Sequence, residues 1–149
     1  MKTGDSDFAQ VYLNRVRALA ENTTARFRFD EAKVLLGTVG GILEGEIAWQ
    51  SGDLTGAIRA FENAVEIEDQ LEFSEPEPLP FAARLWLGAA LLEAERYTDA
   101  ERVYREELQD HQNNGWSLYG LKKALESQGE SSVDASTEFE ASWARSDVW

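Results

Sequence analysis

The stretch from Gly45 to Phe61, GEIAWQSGDLTGAIRAF, decides the fold of this chain. Apolar residues recur at three- and four-residue spacing on both sides of its centre, which is the period of an α-helix. The first helical pattern stops at Gly52, and Asp53 is a good N-cap residue for a second one. The stretch therefore predicts two helices joined by a short turn.

The same arrangement recurs from Gly88 to Tyr104, GAALLEAERYTDAERVY, 43 residues further along the chain. Where two helices of a hairpin cross closely, a side chain larger than glycine or alanine forces their backbones apart. An aromatic residue then fills the space between one hairpin and the next. We expect structural roles for the equivalent residues, which are Gly45, Ala57 and Phe61 in the first copy and Gly88, Ala100 and Tyr104 in the second.

With these phrases the chain resembles the tetratricopeptide repeat family, and especially the C-terminal repeats of bacterial proteins of that kind. The resemblance is carried by AWQSGDLxxA at 48–57, LGAALL with YxxA at 87–100, and NGWSLYGL at 114–121. The offset of 43 residues equals a repeat of roughly 34 residues plus the nine residues of 72–80. The resemblance implies an all-α fold, a right-handed superhelix (α-solenoid) of antiparallel helix hairpins with about seven helices.

The resemblance also implies boundaries within a single domain at 1–149. All three prolines lie in 72–80, and a helix cannot run through them, so this segment is expected to be a loop. Gly41 and Arg84 depart from the family pattern, because a large aromatic residue usually opens the motif. The expected parts are an N-terminal helix or degenerate repeat at 1–33, repeat 1 at 38–70, repeat 2 at 81–112, and repeat 3 with a capping helix at 115–149.

Helical periodicity extends beyond the repeats. It predicts a first amphipathic helix that ends near Asn22. The glycines around Gly40 and Gly41 either let another helix approach closely or break the second helix. Thr98-x-x-Glu101 has the pattern of a capping box. No segment alternates like a strand, so we expect no sheet. The apolar face of the first helix comprises Phe8, Val11, Tyr12, Val16 and Leu19.

Charge and composition exclude several classes of partner. The 28 acidic and 14 basic side chains give a formal net charge of -14, which repels nucleic acid phosphates and anionic lipid. No apolar run is long enough to span a bilayer. The polar residues 1–7 do not resemble a signal peptide. We therefore expect an acidic, cytoplasmic protein that binds neither nucleic acid nor membranes.

The residues that catalysis or metal binding would need are largely missing. There is no cysteine, and His111 is the single histidine of the chain. An exposed imidazole at a helix C-terminus interacts favourably with the helix dipole, and this structural role is expected for His111. A cluster of acidic residues at 66–77 could hold a basic partner or calcium, but a solvated helix end is the commoner arrangement. We expect no enzyme, no cofactor and no metal site.

The family resemblance implies protein binding. We expect a scaffold or adaptor whose concave groove takes a protein or peptide, and the acidic Glu46 and Glu93 favour an apolar segment with basic flanks. The alternative is a structural role, as a homo-oligomerisation module, such as a homodimer, or an accessory module of a larger assembly. The last helix and Val148-Trp149 would suit that role. The predicted groove residues are Val39, Ile42, Glu46, Trp49, Leu85, Leu92, Glu93, Trp116 and Tyr119.

Overall fold

The computed structural model describes residues 5–72 and 76–144. In these two ranges the chain forms seven helices, which confirms the all-α prediction. They are α1 (Asp5–Asn22), α2 (Ala32–Gln50), α3 (Leu54–Glu68), α4 (Ala83–Glu93), α5 (Tyr97–Asp110), α6 (Gly115–Gln128) and α7 (Val133–Trp143). Contacts divide the chain into two compact units, Met1–Trp86 and Leu87–Trp149, so α4 contributes residues to both. Among the helices of the described ranges, none combines the length and apolar content that a membrane-spanning segment requires.

The α2–α3 hairpin forms the centre of the first unit, and glycines set the close approach of its helices. A Cβ atom added at Gly45 would lie less than 2.5 Å from the ring of Phe61, and one at Gly41 would lie 2.9 Å from the Cβ of Ala64. The helix α2 runs without a break through these glycines. Of the two alternatives, the glycines therefore serve helix contact and do not interrupt the helix.

The start of α4 is held in the first unit by two acidic residues at the end of α3. A carboxylate oxygen of Glu68 accepts a hydrogen bond of 2.8 Å from the backbone N–H of Ala83. Arg84 donates two hydrogen bonds, of 2.6 and 2.8 Å, to the carboxylate of Asp69. Part of the acidic cluster at 66–77 is therefore structural. The pair explains why an arginine is tolerated where the repeat motif usually has an aromatic residue.

A small hairpin between α1 and α2 contradicts the expectation of no sheet. Its strands, β1 (Arg26–Phe27) and β2 (Asp30–Glu31), pair antiparallel. The turn between them places Arg28 at a φ of 56°, in the left-handed region. Each strand has two residues, too few to produce an alternating pattern. Asp30 is buried and accepts a hydrogen bond of 2.8 Å from the backbone N–H of Glu72, which anchors the start of the proline-containing loop.

The helix α1 packs on α2, but not with the face that its periodicity suggested. Leu13 is buried, and Val16 lies against Gly40 of α2, where an added Cβ would be 3.4 Å from Val16 Cγ1. Most of the predicted apolar face is exposed instead, because α2 meets the helix about a quarter turn away from it. The exposed members are Phe8, Val11, Tyr12 and Leu19.

In the second unit, Tyr104 of α5 fits between two glycines of different helices. An added Cβ would lie 2.5 Å from Tyr104 Cζ at Gly88 of α4, and would lie closer still at Gly120 of α6. Tyr104 and Ala100 are both buried. The predicted role of this aromatic residue, to fill space between one helix pair and the next, is confirmed here.

The helix termini follow the sequence signals with one exception. The Asp53 side chain accepts a hydrogen bond from the Gly56 N–H and caps α3, and Gly129 ends α6 with a φ of 74°. The predicted capping box of Thr98 and Glu101 is wrong. The N-cap residue of α5 is Arg96, two residues before Thr98, and the Thr98 hydroxyl donates to Gln128 of α6 at 2.8 Å. Hydrogen bonds from Arg105 and Gln128 hold the pKa of Glu101 below its ordinary value.

The buried phenol of Tyr104 predicts a loss of stability at alkaline pH. Burial raises the pKa of Tyr104, so the folded state holds the phenolic proton more tightly than the unfolded chain. The resulting stabilisation is complete below the pKa of an unfolded tyrosine, about 10, and is lost as the pH rises above it. Chemical denaturation at a series of pH values should show that Tyr104→Phe removes part of the alkaline decline. Tyr12→Phe, at an exposed tyrosine, is the control, and an unchanged decline in Tyr104→Phe would contradict the prediction.

Candidate functional site

An exposed aromatic surface lies on α6 and α7 in the second unit. Trp116 is 66% exposed and Tyr119 is 45% exposed, on neighbouring turns of α6. Trp116 packs edge-on against Trp143 at 5.3 Å between ring centroids, and Tyr119 lies 5.6 Å from Phe139. Phe139 and Trp143 are half-buried and 6.1 Å apart. We call these four residues the aromatic surface.

Packing and capping position the aromatic surface on the two helices. Trp143 packs over Gly115, where an added Cβ would collide with the indole nitrogen. The Asn114 side chain accepts a hydrogen bond of 3.0 Å from the Trp116 N–H, so the first turn of α6 is capped where the exposed tryptophan sits. The exposed ring of Trp116 therefore projects from a capped and packed helix start and not from a loop.

The charge around the aromatic surface is negative. From 115 to 144 the chain carries five acidic and two basic side chains. One of the two basic groups, Lys123, lies 5.5 Å from the centroid of the Tyr119 ring and donates to Glu126 at 3.2 Å. The Glu126 carboxylate raises the pKa of Lys123, so this lysine stays charged and paired.

The remaining predicted groove residues of the second unit lie at the end of α4. Leu92 is half-buried and Glu93 is exposed. In the first unit, Trp49 is half-buried and packs edge-on against Phe61 at 6.0 Å. Ile42 is buried in a core cluster with Ala64 and Ala83. The other members, Val39, Glu46 and Leu85, are half-buried.

The last turn of α5 contains a buried carboxylate that the sequence did not reveal. Glu107 is 1% exposed. One of its oxygens accepts a hydrogen bond of 2.8 Å from the Asn114 side chain and lies 2.9 Å from His111 Nδ1. His111 is thus paired with Glu107 at the end of α5, in place of the exposed position expected for it. The arrangement connects the end of α5 to the N-cap of α6.

This connection predicts a stability effect at Glu107. Glu107→Ala removes, from a buried position, the acceptor that the Asn114 and His111 side chains share, and it should lower the free energy of unfolding by about 1–3 kcal/mol. Glu107→Gln keeps an acceptor for Asn114 and should cost less. Glu106→Ala on the same helix, which removes the more exposed pair with Arg102, is the control and should change stability by less than about 0.5 kcal/mol. Urea denaturation of the three variants measures these differences, and equal losses at 106 and 107 would refute the structural role.

The described ranges contain no cluster of side chains that could bind a metal ion. No group of three or more histidine, aspartate or glutamate side chains is placed there to hold an ion.

The fold therefore defines a helix-hairpin repeat protein. Residues 42–114 match the family model described as tetratricopeptide repeat, which confirms the resemblance. The match covers most of predicted repeat 1 and all of predicted repeat 2. No curated protein and no solved structure matches the chain. Tetratricopeptide repeats generally mediate protein–protein interactions and are typically non-catalytic modules.

Proposed function

We propose that this protein is a non-catalytic scaffold or adaptor that binds a partner protein or peptide, with the aromatic surface of α6 and α7 as a principal contact. The observation that carries the proposal is the 66% exposure of Trp116, on a helix start that is capped and packed. Tryptophan and tyrosine are the residues most enriched among those that dominate binding energy at protein interfaces.

The cost of binding supports the same surface. Trp116 already packs edge-on against Trp143 and Tyr119 already contacts Phe139, so these contacts restrict both side chains before a partner binds and reduce the entropy lost on binding. Exposed apolar area on an ordered helix is a common mark of a binding site. Each unit by itself offers further proposed contact residues, while Ile42 is withdrawn from the predicted set because it is buried in the core. They are Val39, Glu46, Trp49 and Leu85 in the first unit, and Leu92, Glu93, Trp116 and Tyr119 in the second.

The charge of the chain suggests the chemistry of the ligand. Glu46 and Glu93 accompany the apolar residues of the proposed contact set, and the chain as a whole has a net charge of -14. An apolar peptide segment flanked by lysine or arginine suits this surface, with the acidic residues mainly raising the association rate. An acidic peptide would meet charge of its own sign. The proposed location of the protein is the cytoplasm.

Calorimetry with designed peptides tests the proposal. A peptide with an apolar centre and lysine flanks should bind, and the same centre with glutamate flanks should bind at least about tenfold more weakly at low salt. Trp116→Ala should weaken binding of the first peptide by about 2 kcal/mol or more, as expected for a dominant interface residue. The matched control is Val133→Ala on α7, because Val133 is 67% exposed but lies outside the proposed contact set. Tight binding of the glutamate-flanked peptide, unaffected by Trp116→Ala, would show that the working surface lies elsewhere.

A further inference from the structure

The helix α1 has two apolar faces, and α2 covers one of them. Leu13 is buried against the fold, whereas Phe8 is 67%, Tyr12 57% and Leu19 56% exposed. The exposed residues occupy one stripe along the helix, and the Arg15 guanidinium lies in the same stripe, 5.7 Å from the centroid of the Tyr12 ring. We call Phe8, Tyr12, Arg15 and Leu19 the α1 stripe.

The spacing of the α1 stripe is that of a coiled-coil seam. Its members follow one another at intervals of four, three and four residues, which is the alternation of d and a positions in a heptad. The helix α7 differs, because the side chains exposed along it are mostly polar. They include Asp134, Thr137, Glu138 and Glu140. The α1 stripe is therefore a helix-pairing surface without a helix on it in the described part of the chain.

The stripe is complementary to itself. If two copies of α1 lie antiparallel, with the two-fold axis between Leu13 and Asn14, Phe8 of one copy faces Leu19 of the second copy. By the same symmetry Tyr12 faces Arg15 of the second copy, so each guanidinium lies beside a phenol ring, a favourable cation–π arrangement. An antiparallel pair also opposes the two helix dipoles. Each of the four residues of the α1 stripe therefore faces a member of the stripe on the second copy.

Charge distribution selects a second copy as the occupant. Residues 1–33 carry six basic and five acidic side chains, whereas residues 34–149 carry eight basic and 23 acidic ones. Two copies, each with a net charge of -14, therefore repel each other least through the segment that contains α1. Between Phe8 and Ala20 the charged residues are Arg15 and Arg17, and Arg17 is paired with Glu44 at 2.5 Å.

We infer that α1 is a self-association surface, through which two copies of the chain pair by antiparallel α1 helices. The helix has 18 residues and is about 27 Å long, and one such helix pair buries less than the roughly 1,200 Å² of a standard stable interface. The dimer is therefore weak and reversible, and its population depends on protein concentration.

Sedimentation velocity over a range of concentrations tests the association. The unmodified chain should shift from monomer to dimer as its concentration rises, and added salt should favour the dimer by screening the repulsion between acidic copies. Leu19→Glu and Tyr12→Glu should each raise the dissociation constant at least about tenfold. Both sites are exposed, so these variants keep the fold of the monomer. Val133→Glu, which places the same charge on the equally exposed surface of α7, is the control and should dimerise like the unmodified chain. A chain that stays monomeric at every concentration, or a dimer that both α1 substitutions leave intact, would overturn the inference.

Cysteine cross-linking tests the antiparallel arrangement, and the absence of native cysteine makes the assay clean. An equimolar mixture of Phe8→Cys and Leu19→Cys chains should form the mixed disulfide under mild oxidation. Each variant alone should form little, because antiparallel pairing separates the two copies of either residue by about 16 Å along the helix axis. Efficient cross-linking of Phe8→Cys with itself, without the mixed product, would indicate a parallel pair and refute the proposed geometry.

Discussion

Replacing Phe61 by alanine is expected to lower the free energy of unfolding by about 3–5 kcal/mol, the usual cost of deleting a fully buried phenylalanine. Phe61 has no exposed surface, and its ring occupies the space that Gly45 leaves open in the α2–α3 crossing. Trp49 also packs edge-on against this ring. The substitution therefore opens a cavity next to Gly45, which has no side chain to fill it.

The control for this prediction is a second phenylalanine of the same unit. Phe29 is 59% exposed in the turn of the β1–β2 hairpin. Phe29→Ala should change stability by less than about 0.5 kcal/mol, the range of most surface substitutions. Urea denaturation of the two variants, monitored by circular dichroism, gives both values. Equal losses at the two positions would mean that Phe61 does not anchor the hairpin.

Replacing Gly88 by leucine is expected to lower the free energy of unfolding by about 1–3 kcal/mol, because it overpacks a helix crossing. The first atom of any side chain at this position would lie 2.5 Å from Tyr104 Cζ. The ring cannot move away easily, since Gly120 of α6 receives it on the other side. Arg102→Leu on the exposed side of α5 is the control, and it separates overpacking from the effect of an added leucine.

A double-mutant cycle makes the cause of this loss measurable. Tyr104→Ala alone should cost about 3–5 kcal/mol through its cavity. Gly88→Leu combined with Tyr104→Ala should be less destabilising than the sum of the single changes, because the leucine enters the space that the phenol ring leaves. Strict additivity of the two losses would show that Gly88 and Tyr104 do not share that space.

Much of the fold could be predicted from short stretches of sequence. The turn GD at 52–53 predicted the α2–α3 hairpin. The recurrence of glycine, alanine and an aromatic residue at the same spacing predicted the second hairpin. These signals are local and periodic, so they can be recognised without knowing which segments pack against them. The β1–β2 hairpin could not be predicted in the same way, because two-residue strands carry no alternation. The capping box at Thr98 failed because α5 already begins at Tyr97, so Arg96 and not Thr98 is its N-cap residue.

The candidate site was predictable only in its residue types. Trp49 and Trp116 had equivalent patterns in the sequence, but Trp49 packs on Phe61 whereas Trp116 remains largely exposed. The burial of Glu107 beneath His111 left no signal, since an i, i+4 pair of this kind is usual on an exposed helix surface. Exposure depends on what packs above a residue, and no pattern within a single helix records it.

By itself the sequence determined the helix-hairpin repeats and the acidic character of this protein, because helical period, small residues at crossings and charge are properties of short segments or of composition. The tertiary structure alone decided which side of α1 meets α2, which acidic residues hold α4, and which aromatic residues face solvent. Those outcomes arise from packing between segments that are distant in the chain. Because α2 buries one face of α1, the α1 stripe on another face remains exposed. That exposure follows only from the position of α2 and not from the sequence of α1.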